Sequence, residues 1–198
     1  MRRIKDVIHL NQQDPQNARE ESSSENLSAQ KLKRAFKDRI LVLDGGMGTM
    51  IQAYELTEDD FRGSRFADHP DLQKGNNDLL TLTQPQIIQS IHEAYLEAGA
   101  DLIETNTFNS NRVSMADYGL ESLVYELNLE AAKVARAAVN SYHEKRLSPQ
   151  GSSLGEAKFV VGILGPTNRT ASLSPDVNQP GLRNISFEEL VSAYQEAL

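Results

Sequence analysis

The stretch Ile40-Leu-Val-Leu-Asp-Gly-Gly-Met-Gly-Thr49 decides how this chain is read. Branched apolar residues run into an acid and then a glycine cluster, the pattern of a buried strand entering a tight turn. Glycines let backbone N–H groups come close to an anion, while the Asp44 carboxylate offers a partner to a cation. A ligand carrying both charges, such as an α-amino acid, suits that combination. The loop is not a dinucleotide fingerprint, because Ile51 stands where a third Gly or Ala is expected after Gly46 and Gly48. It also lacks the Gly-Lys-Ser/Thr of a Walker loop.

On the N-terminal side, residues 1–27 are rich in Gln, Asn, Glu and Ser without a sustained apolar period, and read as a disordered leader. Ser28 then opens a short helix with Leu32 and Phe36 on one face. On the C-terminal side, Met47 to Tyr54 suits a helical turn or two. Glu55 to Asn77 is a charged excursion punctuated by Gly63, Pro70 and Gly75, either a surface loop or a substrate lid. Thr83 and Gln86 have capping-box spacing, and Ile87, Ile88, Ile91, Tyr95 and Ala98 follow at helical intervals until Gly99.

Asp101 to Phe108 reads as the next strand, and Glu121 to His143 as a helix with Leu123, Leu127, Val134, Ala138 and Tyr142 inward. Ser148 to Gly155 is a linker, Lys158 to Gly165 a further strand, and Pro166 to Asn184 a long loop. Ser186 and Glu189 cap a last helix whose inward residues are expected to be Phe187, Leu190, Val191 and Tyr194.

This alternation implies parallel strands with right-handed crossovers, as in a doubly wound sheet or a (β/α)8 barrel. Polar residues gather where each strand ends: Asp44, then Glu104 and Asn106, then Thr167 and Asn168. Both architectures place ligands at that edge. Only about three of the eight βα units of a barrel can be placed. The last helix reaches Leu198 without a stop signal, so residues 28–198 are expected to form a partial barrel domain, cut off at its C-terminus.

Glu104 interrupts an otherwise apolar strand, and burying an acid is costly without a partner. A structural ion pair or a substrate-facing carboxylate would each explain it; Asn106 shares its face of the strand. His92 and His143 on helices and His69 on a loop lack metal-ligand spacing and are expected at the surface.

A formal net charge of -8 argues against nucleic acid or anionic lipid as partners, leaving small neutral or zwitterionic ligands. No apolar run approaches the roughly 20 residues of a membrane helix, and the N-terminus lacks a signal-peptide core; a cytoplasmic location is expected. There are 0 cysteines, hence no disulfide framework, thiolate nucleophile or cysteine-based zinc site within these residues.

Three stretches taken together carry a family resemblance: Val42 to Met50, Glu97 to Ser110 (Glu-Ala-Gly-Ala-Asp-Leu-Ile-Glu-Thr-Asn-Thr-Phe-Asn-Ser), and Gly165 to Val177 (Gly-Pro-Thr-Asn-Arg-Thr-Ala-Ser-Leu-Ser-Pro-Asp-Val). From about Leu32 onward the chain resembles the homocysteine-binding module at the N-terminus of cobalamin-dependent methionine synthases, within the homocysteine S-methyltransferase family. The first two motifs are similar across that family; the third looks particular to the cobalamin-dependent branch. The resemblance implies a (β/α)8 barrel that binds homocysteine and zinc, followed by folate and cobalamin modules. The implied reaction passes a methyl group from methyltetrahydrofolate through methylcobalamin to homocysteine, giving methionine. Zinc would deprotonate the homocysteine thiol, but the family's three cysteine ligands have no counterpart here, so this chain alone is expected to hold neither cofactor and to be inactive. Carried over by the resemblance, Asp44 and the backbone of Gly45, Gly46 and Met47 would take the amino and carboxylate groups of homocysteine. Glu104 and Asn106 would line the mouth, and Asn168 is a further candidate. A cobalamin-independent methyltransferase using betaine or S-methylmethionine is the alternative enzyme, and a non-catalytic binding protein the alternative outside enzymes.

Overall fold

Parallel pairing of three successive chain segments sets up the architecture. The computed structural model describes residues 17–146 and 157–198. In it β1 (Leu102–Glu104) pairs with β2 (Phe159–Val161) in the register Leu102↔Phe159, Ile103↔Val160 and Glu104↔Val161. On the other side of β1, Leu43 makes one parallel bridge to Leu102. There Asp101 and Leu102 N–H donate to Val42 O, and Asp44 N–H donates to Leu102 O. All three segments therefore run in one direction and end at one edge.

The strands are shorter than the sequence suggests. The strand expected at Ile40 to Leu43 reduces to that single bridge and is not buried, with Val42 53% and Leu43 47% exposed. A buried parallel strand needs neighbours on both sides and cover on both faces; among the described residues only β1 pairs with this segment. β1 stops at Glu104 because the chain turns back on itself, Thr107 N–H donating to Thr105 O and Ser110 N–H to Thr107 O.

The chain divides into two compact units, residues 1–41 and 42–198. The described part of the first is α1 (Asn17–Asp38), which begins at Asn17 rather than Ser28. Residues 17–26 are thus helical instead of the expected disordered leader, since Ala18, Arg19, Glu20 and Glu21 all tolerate a helix well. Leu32 is half-buried as its spacing predicts, whereas Phe36 is exposed.

In the second unit, α2 (Met47–Gln52) and α3 (Glu58–Arg62) precede α4 (Leu80–Thr83), α5 (Pro85–Glu97), α6 (Arg112–Met115), α7 (Val124–Arg146) and α8 (Phe187–Ala197). α5 and α7 pack together against β1 and β2. Leu96, Ala100 and Ile103 meet Ala135, Ala138 and Val139 in one core cluster, and the alanines of α7 let α5 approach closely. Ile88 and Ile91 on the same helix bury against Ile51, Phe61 and Leu80. Each fully buried Leu or Ile contributes about 2 kcal/mol by removing apolar surface from water.

Several local expectations change. The excursion from Glu55 to Asn77 is folded rather than a free loop or lid: Phe61 and Phe66 are buried, and Glu58 accepts hydrogen bonds from Gln73 N–H (2.8 Å) and Lys74 N–H (2.7 Å). The Thr83/Gln86 box does not form, because Pro85 opens α5 with Gln84 as its cap and Thr83 closes α4. Gly99 does end the helix turn, at φ +109°, a conformation few other residues adopt. The Ser186/Glu189 box forms as expected, but α8 buries Ala193 and Ala197 while Phe187 (71%) and Val191 (38%) are exposed. Leu190, Ala193, Tyr194 and Ala197 make the i, i+3, i+4, i+7 stripe, and the other two lie off it.

His92, expected at the surface, is fully buried on α5 with neither ring nitrogen hydrogen-bonded. Burial holds its pKa down to about 4. The expected linker at Ser148 to Gly155 lies outside the described residues. No described helix is long and apolar enough to cross a membrane.

Candidate functional site

Because the three segments are parallel, whatever follows each of them gathers at the same edge. There the chain encloses a cavity of about 410 Å3. Six of the residues expected at a site line it: Asp44, Gly45, Gly46, Met47, Glu104 and Asn106. The seventh does not. Asn168 is exposed and donates through Nδ2 to Asp117 Oδ2 at 2.6 Å, away from the cavity wall. The cause lies at Gly165, where the loop leaves the strand. A Cβ built there would run into Phe108 O, so the chain passes directly under the Phe108 carbonyl and carries Asn168 off toward Asp117.

The glycine loop works by lacking side chains rather than by unusual torsions. Gly45, Gly46 and Gly48 are not among the glycines with positive φ. A Cβ at Gly45 would meet Tyr95 Oη at 3.3 Å, and one at Gly46 would meet Thr49 Oγ1 at 3.2 Å. Gly46 is the cap of α2, and the N–H groups of Gly45, Gly46 and Met47 donate to no group among the described residues. They are free to receive an anionic oxygen.

Asp44 is the opposite pole. Its Oδ2 accepts from Glu104 N–H at 3.0 Å, while Oδ1 is buried and makes no hydrogen bond. Burial, reinforced by the neighbouring Glu104 carboxylate and opposed by that backbone hydrogen bond, raises its pKa from 3.8 to about 6. A desolvated carboxylate with an unused oxygen is a receptor for a bound cation. Glu104 stands beside it with no hydrogen bond or ion pair to its carboxylate among the described residues. The structural ion pair that could have explained an acid in this strand belongs instead to Asp101, whose Oδ1 lies 3.0 Å from Lys158 Nζ, both buried, at the other end of β1.

The side chain of Asn106 donates to Asn77 O at 2.8 Å, so it braces the wall. Thr105 and Thr107 share a hydrogen bond of 2.8 Å and tie the wall to the chain beyond β2, through Ile163 N–H to Thr105 Oγ1 (3.0 Å) and Thr107 Oγ1 to Ile163 O (2.9 Å). Sequence reasoning missed Asn77 and Asp78. Asp78 is buried in the cavity wall; its Oδ2 accepts from Asn109 N–H at 2.6 Å and from Ser110 Oγ at 2.9 Å. Desolvation raises its pKa to about 6 against the lowering effect of those bonds. The signal was present in the polar triplet Asn76-Asn77-Asp78 set directly against the fully buried Leu79 and Leu80. Among the described residues no Lys, Arg or His lines the cavity, so the side-chain charge they bring to it is entirely negative.

The zinc centre implied by the family resemblance does not fit these residues. The chain has no cysteine, and among the described residues no group of three His, Asp or Glu side chains is placed to hold a metal.

A family model described as homocysteine S-methyltransferase matches residues 41–198. Among solved structures the chain is similar to the homocysteine methyltransferase MmuM from Escherichia coli. The oxidized form matches at a TM-score of 0.52 and 24% identity, and the metallated form at 0.51 and 22%. Each match covers 69% of this chain and 41% of the MmuM chain, so the present chain spans about two fifths of the length of the structures it matches. The fold is part of a (β/α)8 barrel, with its cavity at the C-terminal ends of the strands.

Proposed function

Because this chain belongs to the homocysteine S-methyltransferase family, we propose that its strand-end cavity holds the amino-acid end of homocysteine for methyl transfer to sulfur. The observation that carries this reading is the pairing of opposite poles across one short loop. Asp44 presents a desolvated carboxylate with a free oxygen, and Gly45, Gly46 and Met47 present unused N–H donors. The ammonium group of homocysteine would sit on Asp44 with Glu104 beside it, and its carboxylate on the loop N–H groups. Asn106 acts on the wall through Asn77. Met47, Phe108 and Ile163 line the same cavity and supply apolar surface for the methylene carbons and the sulfur.

The motif from Gly165 to Val177 favours the cobalamin-dependent methionine synthase branch, in which methyltetrahydrofolate is the methyl source and methylcobalamin the carrier. The zinc that the family resemblance implies would be held by cysteines, of which this chain has 0. Its own residues bind and orient the amino acid whose sulfur is methylated to give methionine.

Calorimetric titration of the 198-residue chain tests the reading. L-Homocysteine is expected to bind, and 4-mercaptobutanoate, which keeps the thiol and carboxylate but lacks the ammonium, is expected to bind at least about tenfold more weakly for loss of a charge-assisted hydrogen bond. Equal affinities would remove Asp44 from the proposed role.

A further inference from the structure

Two consecutive residues of the 3-10 turn Asn77–Leu79 hold the loop that follows β1 at both of its ends. Asn77 O receives Asn106 Nδ2 at 2.8 Å, and Asp78 Oδ2 receives Asn109 N–H at 2.6 Å and Ser110 Oγ at 2.9 Å. Between these anchors lies Phe108, 56% exposed yet part of the cavity wall. A ring this exposed is only partly held by packing, so its position depends on the backbone that carries it. That backbone is pressed from behind by Gly165, and the carbonyl of Ser110 is held by Asn128 Nδ2 at 2.8 Å. Asp78 is the one charged group in this clamp and is 2% exposed.

From this arrangement we infer that Asp78 is a positioning residue: by anchoring the Asn109–Ser110 turn it holds Phe108 as the apolar wall against which the side chain of the bound amino acid lies. The inference rests on the functional reading above as far as the ligand is concerned. The clamp itself does not. Asp78 works as a hydrogen-bond acceptor here, not as a charge presented to the ligand. An asparagine at this position retains an acceptor oxygen, whereas an alanine retains none. A residue that bound the ligand ammonium directly would lose as much in the asparagine variant as in the alanine variant.

The test combines two readouts on the full chain: amide hydrogen exchange across residues 105–111 without ligand, and calorimetric titration with L-homocysteine. In Asp78→Ala, exchange at Asn109 should accelerate and homocysteine affinity should fall about tenfold, the scale of a lost hydrogen bond to a charged group. Asp78→Asn should restore both to within about threefold of the wild type, because its amide oxygen can still accept from Asn109 N–H and Ser110 Oγ. Phe108→Ala should weaken homocysteine without altering exchange at Asn109. Where Asp78→Ala does not fold, Ser110→Ala removes one donor and should shift both readouts in the same direction by less. Unchanged exchange in Asp78→Ala overturns the inference. So does an asparagine variant that keeps the loop protected yet loses the full affinity. A wild-type chain that binds no homocysteine refutes the functional reading instead, and the clamp then stands or falls on exchange alone.

Discussion

Asp44 and His92 show how single side chains make a protein pH-sensitive, one in the cavity and one in the core. The pKa of Asp44 is raised from 3.8 to about 6, so below that pH it is protonated in the free protein and cannot receive an ammonium. Homocysteine affinity is therefore expected to be level above pH 6 and to weaken about tenfold for each unit below it. An affinity that stays constant from pH 7 down to 5 would contradict this. His92 acts on stability instead. Its pKa falls from 6.5 to about 4, so across that range the unfolded chain takes up a proton that the folded chain refuses. The His92 contribution to stability should therefore fall as pH drops from 6.5 toward 4 and lose nothing further below it, while Asp44 and Asp78, which take up protons more readily in the folded chain, act in the opposite direction over the same range. Replacing the ring, His92→Leu, removes two unpaired buried nitrogens and should stabilise the fold by about 1 kcal/mol while flattening that slope, measured by urea unfolding at several pH values. A destabilised variant with the slope intact would show that another group sets the acid limit.

At the scale of elements, what the sequence made legible was whatever depends on local pattern. The stop at Gly99, the Ser186 capping box and the buried Ile88 and Ile91 of α5 follow from spacing and backbone torsion alone, whereas Ala98, expected on the same face, is exposed and the fully buried His92 and Leu96 were missed. That the Asp44 loop and Glu104 would come to the strand-end edge was legible because both stand where an apolar run ends. Features that depend on a distant partner were not legible. Asn77 and Asp78 join the wall only because the loop after β1 folds back onto them, and Asn168 leaves it because Gly165 sends the chain beneath Phe108. Phe187 was misplaced because an apolar side chain at the first position of α8 need not lie on its buried stripe. Two substitutions test the elements. Gly165→Ala forces a Cβ into the Phe108 carbonyl and should cost about 3 kcal/mol by thermal unfolding, with loss of the adjacent cavity wall. Ser186→Ala removes the N-cap of α8 and should cost about 1 kcal/mol. A Gly165→Ala protein of unchanged stability would mean that the close approach to Phe108 is not maintained.

In the second unit, the same parallel arrangement that builds the cavity leaves the sheet with no further strand on either side among the described residues. Val42 and Leu43 are about half exposed along one, and beside β2 an apolar groove of about 340 Å3 is lined by Tyr125, Leu129, Leu164 and Leu198. The net charge of -8 resists association at long range but does not cover apolar surface at contact. Sedimentation should therefore show species heavier than 22.0 kDa as concentration rises, and Leu164→Lys should reduce them; a strictly monomeric wild type would show that these faces are not adhesive. The central claim concerns the other edge of the sheet, where opposite poles meet over one loop. Its most direct measurement is calorimetric titration with L-homocysteine at pH 7.5 of the wild-type chain, Asp44→Asn and the surface control Glu130→Gln. One site is predicted in the wild type and in the control, with affinity lowered at least about tenfold in Asp44→Asn as the charge partner of the ammonium is lost. Wild-type and Asp44→Asn chains binding alike, or no binding by the wild type, would contradict the account.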